Sequence, residues 1–416
     1  MGTNKKRVVI TGMGAVTPAG NTMNDTWNGI IEGKKNVGPV EVFDAEKFSC
    51  NFAYQVRDFK LNQEGLDEEK AKLLNRAGEF AWNAALEAAQ QSKILDKGQT
   101  SPMRTAVCLG VGVGSPDMAW HHGVYMADKC DGDAHTYNHR KNFPNTLSAL
   151  VANLIGAKGA TSTIHTACAS SGQALGEAYE MIATGEYDVV MTGGADSMIN
   201  PFQMAGFCLL GALSTRVSDP KHASRPFDAN RDGFVLGEGA CLLVFEEYEH
   251  AKARGANILG EIVGYGVTES AYRITDLHPE GRGVIESMQM ALADAGIKPS
   301  EVGYVNAHGT STNLNDKVES LAVSIVFDKA SCSTKVSSTK STTGHLISAA
   351  GAIEFAVALM SVKNQVYPPS VNVQTQDPTC DITLTPSTPS PMTSTYALSN
   401  SVGFGGSNTS LIVRRV

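Results

Sequence analysis

A cysteine at the junction of a predicted strand and a predicted helix is the first candidate for chemistry. Cys168 lies in the segment HTACASSG, between the predicted strand Thr161–Thr166 and a helix predicted from Ala169 to Ala183. The positive end of a helix dipole stabilises a thiolate, and small neighbouring residues leave room for a substrate. A packed apolar cysteine is the commoner alternative for an arbitrary position, but none of the other seven cysteines has this setting. The setting favours a thiol nucleophile.

Two histidines and a lysine stand in small-residue segments of the C-terminal part. His308 follows a predicted strand within NAHGTST, and Lys340 and His345 lie in SSTKSTTGHL ahead of a predicted apolar helix. A hydrogen-bonded core histidine or a polar helix cap is the alternative for each motif taken alone. A lysine and a histidine among so many small residues are not typical of a solvated surface, so the pattern favours a buried site. Asp316 and Glu319 on an earlier predicted helix could balance the lysine charge.

A glycine-rich segment close to the C-terminus completes the set. Phe404 is flanked by glycines in NSVGFGGSN, and such a segment can expose backbone N–H groups as an oxyanion hole. A simple glycine turn is the alternative. A thiol, two histidines, a lysine and an N–H hole together suit acyl transfer onto sulfur, followed by stabilisation of an enolate that forms when carbon dioxide leaves.

Two further motifs suggest cofactor or metal sites, and both are better explained otherwise. The segment TGMGAVTPAG resembles a dinucleotide fingerprint, but Pro18 interrupts the place where a helix should open, so we predict a strand and a tight turn. His135 and His139 lie in the polar segment Tyr125–Asn145, which is more typical of an exposed loop than of a metal site. We therefore expect no metal and no cofactor.

The composition is typical of a well-packed cytoplasmic enzyme. The chain has 416 residues, 42% of them hydrophobic, and a net charge of −8, which argues against nucleic-acid binding. The eight cysteines form no CxxC pair, and no secretory apolar region follows the short basic start, so we expect reduced thiols in a cytoplasm. We find no apolar stretch long enough to cross a bilayer, and no membrane span is expected.

Short β-branched runs alternate with Ala-rich segments, which predicts an α/β fold. The predicted strands include Arg7–Gly12, Thr105–Gly112, Asp188–Thr192, Ala240–Glu246, Gly260–Val267, Val302–Asn306 and Tyr396–Ser401. The predicted helices include Glu79–Gln91, Gly283–Ala295, Asn315–Phe327 and Gly344–Val362. Each half has a strand that delivers a reactive residue, which hints at duplication with a boundary near Gly255–Gly260. We predict one half over residues 1–259, with the nucleophile, and a second over residues 260–416, with the histidines and the lysine.

At this point the ordered motifs resemble a known family. The chain is similar over nearly its whole length to the elongating β-ketoacyl-[acyl-carrier-protein] synthases of the thiolase superfamily, and is nearest to synthase II. The resemblance is carried by RVVITGMG, ALSTR, SRPFD, RDGFV, GEGA and GFGG, together with the four segments above. It implies a thiolase-like duplicated αβαβα five-layered sandwich and a homodimer.

The resemblance also implies roles for the catalytic residues. Cys168 would accept an acyl group from acyl-ACP, and the N–H groups of Cys168 and Phe404 would hold the thioester oxyanion. His308 and His345 would hydrogen-bond the carbonyl of malonyl-ACP while carbon dioxide leaves. Lys340 would orient the histidines, and Phe404 would gate the second substrate. The product would be β-ketoacyl-ACP, and both substrates would arrive on the phosphopantetheine arm of the carrier protein.

Supporting residues follow from the same resemblance. Lys340 would pair with Glu319, and Val113 and Phe207 would line the acyl pocket. The candidates for docking the carrier protein are three basic residues, Lys70, Lys72 and Arg76. A solvated helix face explains those three equally well.

The chain departs from the family pattern in three places. Asn313 replaces a proline, and Gly211 stands ahead of ALSTR where many relatives have a basic residue, which weakens one expected contact with an acidic carrier protein. Residues 114–160 differ most from the housekeeping pattern, and we hypothesise an unusual acyl preference.

Three other functions remain as alternatives. The strongest is a ketosynthase of a specialised lipid or polyketide pathway, which would use the same residues. A thiolase would carry a second cysteine where this chain has GFGG. A non-catalytic partner subunit would lack the nucleophile that Cys168 supplies.

Overall fold

The computed structural model describes residues 5–112, 140 and 143–416. The described strands are β1 Val8–Val16, β2 Val37–Pro39, β3 Phe52–Tyr54, β4 Thr105–Val111, β5 Thr161–Ile164, β6 Val189–Ser197, β7 Glu238–Glu247, β8 Gly260–Glu269, β9 Val302–Asn306, β10 Lys335–Ser337, β11 Val366–Tyr367, β12 Ser390–Pro391, β13 Tyr396–Val402 and β14 Ser407–Arg414. The described α-helices are α1 Met23–Ile31, α2 Glu68–Ala71, α3 Arg76–Ser92, α4 Thr146–Ile155, α5 Ser170–Ala183, α6 Pro201–Leu209, α7 Tyr248–Ala253, α8 Arg282–Ala295, α9 Asn313–Val326, α10 Lys340–Thr343 and α11 Ala350–Asn364.

The large sheet consists of two half-sheets with the same strand order. The sequence of neighbours is β10-β9-β13-β14-β8-β1-β7-β6-β4-β5. The first half contributes β1, β4, β5, β6 and β7, and the second half contributes β8, β9, β10, β13 and β14. When the strands of each half are numbered one to five along the chain, both half-sheets have the order 3-2-4-5-1 from the outer edge of the sheet to its middle. The half-sheets meet through a short antiparallel pairing of β1 with β8, in which Val8 lies opposite Ile262. The repeated order supports the predicted duplication, and the predicted boundary at 259/260 falls where β8 begins.

Three hydrophobic cores define five layers. The central core contains α5 and α11 together with residues of both half-sheets. A second core packs α3 and α4 on the outer face of the first half-sheet, and a third packs α8 and α9 on the outer face of the second. The predicted five-layered sandwich is therefore confirmed.

Helix α11 is buried around its whole circumference because it lies in the middle layer. The stretch Ile347–Asn364 is long and apolar enough to cross a membrane, so our expectation that no stretch reaches that length was wrong. A helix in the core of a folded domain can have the same length and apolar composition, and 83% of this stretch is buried inside the protein.

The two central helices begin in the same unusual way. Ala167 and Ile347 have positive φ angles of 49° and 48°, and each opens a 3₁₀ turn that leads into α5 or α11. A positive φ is sterically costly for residues with a Cβ atom, so it breaks the helical path. The predicted helix Gly344–Val362 is consequently wrong at its start: α11 begins at Ala350, and Lys340–Thr343 is a separate short helix.

The glycines of TGMGAVTPAG serve packing between a strand and a helix. A Cβ atom on Gly12 or Gly14 would lie 2.1 Å from a backbone oxygen of α3. The segment continues β1 and ends in a tight turn in which Thr17 and Gly20 exchange backbone hydrogen bonds. The predicted strand and turn are confirmed.

Candidate active site

Cys168 lies in the turn between β5 and α5, where a strained backbone presents its sulfur to a cavity. The residue before it, Ala167, has the positive φ, and the loop that carries Phe404 packs against the same turn. A Cβ atom on Gly403 would lie 2.6 Å from the carbonyl oxygen of Thr166, so only glycine permits this approach. The Phe404 N–H therefore lies close enough to the Cys168 thiol to oppose the rise in its pKa.

Two imidazole rings converge on that sulfur. The Nε2 atom of His345 lies 3.1 Å from Sγ of Cys168. His308 packs edge-to-face on His345, with ring centroids 5.3 Å apart. His308 comes from the loop after β9, and His345 follows the short helix α10. The structure thus brings together the predicted nucleophile and both predicted histidines.

Lys340 fixes the orientation and the tautomer of His308. Its ammonium group lies 3.3 Å from Nδ1 of His308 and donates to the carbonyl oxygen of the same residue at 2.5 Å. An ammonium group is only a donor, so Nδ1 must accept and the ring proton must lie on Nε2. His308 therefore presents an N–H donor through Nε2, whereas in the described structure Nδ1 of His345 has no partner that would select its tautomer.

The predicted partner of Lys340 was wrong. Lys340 forms its salt bridge with Glu354 of α11, and both side chains are only 1% exposed. Glu319 instead accepts the backbone N–H groups of His308 and Gly309, each at 2.8 Å. A carboxylate that accepts two N–H groups shapes the loop, so Glu319 supports the position of His308 without pairing with the lysine. Burial raises the pKa of Glu319 and the Lys340 charge opposes that rise, so Glu319 still interacts with the lysine.

In the described structure Asp316 likewise forms no ion pair with Lys340. It accepts the N–H groups of Phe227 at 2.9 Å and Ser311 at 3.1 Å, and it lies 3.6 Å from the Arg231 guanidinium. Asp316 therefore ties the segment SRPFD to the loop after His308.

Glu354 is the functional residue that sequence reasoning missed. It is the lone acid in the otherwise apolar core helix AGAIEFAVALM. A buried charge needs a partner of opposite charge, so the sequence could have predicted an ion pair between this acid and Lys340.

Burial controls the protonation of the site. It holds the pKa of both His308 and His345 well below the usual range, and the Lys340 charge lowers both further, so both rings are neutral near pH 7. Burial raises the pKa of Glu354 to about 7, against the opposing effect of Lys340. Burial also raises the pKa of the Cys168 thiol to about 12, although Lys340 and the Phe404 N–H oppose the rise. The loss of solvation therefore outweighs the stabilisation of a thiolate by the helix dipole. The resting site holds a thiol beside a neutral His345 instead of the predicted thiolate.

These groups face a cavity of about 350 Å³ that leads to the surface. Phe207 lines it and packs edge-to-face on Phe234, which in turn packs on His345. Phe404 lines the mouth and is 38% exposed, which places it where a gate is expected. The position of Phe207 suits the predicted acyl pocket, whereas Val113 lies outside the described residues.

The three predicted docking residues are all ion-paired. Lys70 pairs with Asp67, and Lys72 pairs with Glu68 and Glu69. Arg76 binds Glu238, a buried carboxylate, with an N–O distance of 2.5 Å. None of the three lines the cavity at Cys168. Docking of the carrier protein through these residues stays a prediction. The ion pair with buried Glu238 indicates that Arg76 also has a structural role.

Cys168, His308 and His345 also form the kind of cluster that can hold a metal ion. Their donor atoms lie within 4.8 Å of one another. The neutral imidazoles would suit a metal, but the Lys340 ammonium beside His308 opposes a second positive charge. His135 and His139 lie outside the described residues, so the absence of a metal stays a prediction.

Comparison with known families gives two adjoining matches. Residues 5–251 match the family described as "Beta-ketoacyl synthase, N-terminal domain", and residues 259–374 match "Beta-ketoacyl synthase, C-terminal domain".

Similar proteins and solved structures agree with these matches. The chain is 40% identical over 411 residues to a 3-oxoacyl-[acyl-carrier-protein] synthase 2 of Synechocystis sp., which covers 99% of this chain and 98% of that protein. A Staphylococcus aureus protein of the same name is 40% identical over 410 residues, with the same coverage. Among solved structures, a β-ketoacyl synthase from Burkholderia phymatum has a TM-score of 0.89 at 34% identity, covering 99% of this chain and 100% of that one. A type II PKS acyl-carrier protein in complex with its ketosynthase has a TM-score of 0.88 at 33% identity, with the same coverage.

Proposed function

Because this chain belongs to the β-ketoacyl synthase family, we propose that it condenses acyl-ACP with malonyl-ACP to give β-ketoacyl-ACP and carbon dioxide in fatty-acid chain elongation. The observation that carries the proposal is the arrangement of Cys168, His345 and the Lys340-anchored His308 around one cavity.

The first step transfers the acyl group to the enzyme. The Cys168 thiol gives its proton to the neutral Nε2 of His345, 3.1 Å away, and the sulfur attacks the thioester carbonyl carbon. The N–H of Phe404 lies beside the sulfur and can stabilise the oxyanion. The tetrahedral intermediate collapses, the carbon–sulfur bond to the carrier arm breaks, and the departing thiolate takes the proton back from His345.

The second step forms the carbon–carbon bond. The thioester carbonyl of malonyl-ACP accepts hydrogen bonds from Nε2–H of His308 and of His345. After acyl transfer the ring proton of His345 moves from Nδ1, which has no partner in the described structure, to Nε2, so this nitrogen changes from base to donor. The bond to the malonyl carboxylate breaks, carbon dioxide leaves, and its electron pair forms an enolate that these two donors stabilise. The enolate carbon attacks the acyl carbon on Cys168, the acyl carbon–sulfur bond breaks, and the sulfur leaves as a thiolate that takes a proton from water.

A ketosynthase of a specialised lipid or polyketide pathway is the second candidate. It is favoured by the likeness to the ketosynthase bound to a type II PKS acyl-carrier protein. The same catalytic groups would serve both functions, so the acyl donor decides between them.

We also propose that the protein is a homodimer and that it is located in the cytoplasm. We further propose that its reaction needs no metal and no cofactor. Strand β5 ends the large sheet, pairs only with β4 among the described strands and leaves Thr161 exposed. An open sheet edge is a common pairing surface for a second copy. Light scattering should give twice the chain mass, and a monomer at micromolar concentration would contradict the dimer.

The test of function is intact-mass analysis of the protein and of Cys168→Ala after incubation with a panel of acyl-ACPs, followed by malonyl-ACP. We expect one acyl group on the parent protein, none on the variant, and release as β-ketoacyl-ACP. The donor that loads best identifies the pathway. If no acyl group loads at any chain length while Cys168 remains free, the proposed function is wrong.

A further inference from the structure

The mouth of the catalytic cavity carries unusually exposed apolar side chains. Leu210, Ile274, Leu314 and Phe404 line the cavity, and Leu209 adjoins them at the end of α6. Leu209 is 89% exposed, Ile274 81% and Leu210 58%. We call these five residues the apolar rim. Single exposed apolar residues are ordinary, but several around one cavity mouth indicate a surface that a partner covers.

Basic side chains are missing from the lining of this cavity in the part of the chain that the structure describes. The charged residues that line it are Asp232 and Asp276, because both histidines of the site are neutral. Arg273, next to Ile274, lies 3.2 Å from Asp276 and is paired with it. Gly211 likewise contributes no charge. Among the described residues, the cavity lining therefore offers no positive charge to an acidic partner surface, and the one arginine beside it is already paired, so we expect apolar contact to supply the attraction there.

We propose that the apolar rim docks the carrier protein, and that this carrier presents apolar side chains beside its pantetheine-bearing serine. The inference rests on the proposed function, because the rim surrounds the opening through which a tethered thioester must reach Cys168. Because apolar attraction does not depend on charge, the affinity at this surface should change little with salt.

Leu209→Ser is the decisive variant, because Leu209 lies outside the cavity lining and its loss leaves the reacting groups untouched. Ile325→Ser is the matched control, since Ile325 is 52% exposed and does not line the cavity. Leu209→Met keeps an apolar side chain. Acyl loading onto Cys168 is measured with two sets of donors: bacterial acyl carrier proteins charged with acyl chains, and N-acetylcysteamine thioesters of the same chains, which need no docking.

We expect Leu209→Ser to raise KM for acyl-ACP about tenfold with little change for the carrier-free thioesters. Leu209→Met and Ile325→Ser should behave like the parent protein, and KM for acyl-ACP should vary less than about threefold between about 50 and 500 mM salt. An unchanged KM in Leu209→Ser, an equal loss with both donors, or a dimer that dissociates in this variant would each overturn the proposal.

The two proposals fail in different ways. If the parent protein loads the carrier-free thioesters and Leu209→Ser matches it on acyl-ACP, only the docking surface is wrong. If the parent protein loads neither kind of donor, the proposed function is wrong and the docking surface is wrong with it.

Discussion

Lys340 organises the reacting residues through its charge and its hydrogen-bonding geometry. It donates to His308, pairs with Glu354 and lowers the pKa of both histidines. A buried ion pair contributes little net stability compared with apolar residues of the same shape, but removing one partner is costly. The energy cost of keeping this pair in the core is explained by its effect on His308, whose Nε2 proton is directed into the cavity.

Replacing this lysine should therefore slow decarboxylation and destabilise the core. In Lys340→Met the tautomer of His308 is no longer fixed and Glu354 is left buried without its cation. We expect malonyl decarboxylation to fall at least about 100-fold and the protein to lose about 3 kcal/mol of stability. Carbon dioxide release and thermal unfolding measure these effects. Lys363→Met, at the exposed end of α11, is the control, and equal decarboxylation in the two variants would refute the role of Lys340.

The raised pKa of Cys168 predicts how its reactivity changes with pH. Burial raises the thiol pKa to about 12, so the thiolate fraction should grow as pH rises throughout the range in which the protein is folded. We expect the rate of iodoacetamide capture at Cys168 to increase about tenfold per pH unit between about pH 7 and 9. Mass spectrometry against Cys168→Ala identifies the modified site. A rate that levels off below about pH 8 would instead show a preformed thiolate.

At the scale of elements, the sequence revealed the strands and helices better than the joints between them. The β-branched run before His308 and the apolar period of α3 are local signals, and both elements are found where they were predicted. The start of α11 was missed because nothing local announces a positive φ at Ile347; the surrounding packing imposes it. For the same reason the partner of Lys340 was assigned to Glu319, since the broken path that brings Glu354 to the lysine is a tertiary feature.

The joint between the Phe404 loop and the Cys168 turn can be tested with two glycines. In Gly403→Ala the new Cβ atom would lie 2.6 Å from the carbonyl oxygen of Thr166, so the loop must move and withdraw the Phe404 N–H. We expect acyl loading from a carrier-free thioester to fall at least about 100-fold. Stopped-flow or quenched mass analysis gives the rate.

The matched variant for this test is Gly405→Ala. Gly405 has a φ of 99° but open space around the position of a Cβ atom, so alanine brings backbone strain without a collision. Its cost should be about 1 kcal/mol of stability, with acyl loading largely retained. Equal loading rates in the two variants would mean that the close approach of Gly403 does not position the N–H.

At the scale of the whole molecule, the site exists only where the two halves meet. Cys168 comes from the first half, whereas His308, Lys340, His345 and Phe404 come from the second. The central helices α5 and α11 carry the contact between the halves, and each follows a turn with a positive φ. The duplicated fold therefore supplies a nucleophile at one turn and the histidine donors around the other, and the packing of α5 on α11 sets the distance between them.

Gly351 is a position where the two central helices pack closely and where one substitution can disturb their contact. A Cβ atom on Gly351 would lie 2.6 Å from the backbone nitrogen of Gly172 in α5, so alanine must push the central helices apart. Because His345 and Cys168 lie on opposite sides of this contact, their 3.1 Å separation should increase. We expect Gly351→Ala to lose about 1–3 kcal/mol of stability and to load acyl groups at least about tenfold more slowly at temperatures where it remains folded.

Gly206→Ala is the counterpart in which the same change should do no harm. Gly206 lies inside α6 with nothing within 4 Å of an added Cβ atom, so alanine should stabilise the helix by about 0.5–1 kcal/mol and leave loading unchanged. Thermal unfolding and acyl loading of the two variants, measured side by side, separate a general effect of alanine from the contact between the halves. If Gly351→Ala unfolds early but loads at the parent rate while folded, the distance across the halves is set elsewhere, and the role assigned to the central helices is wrong.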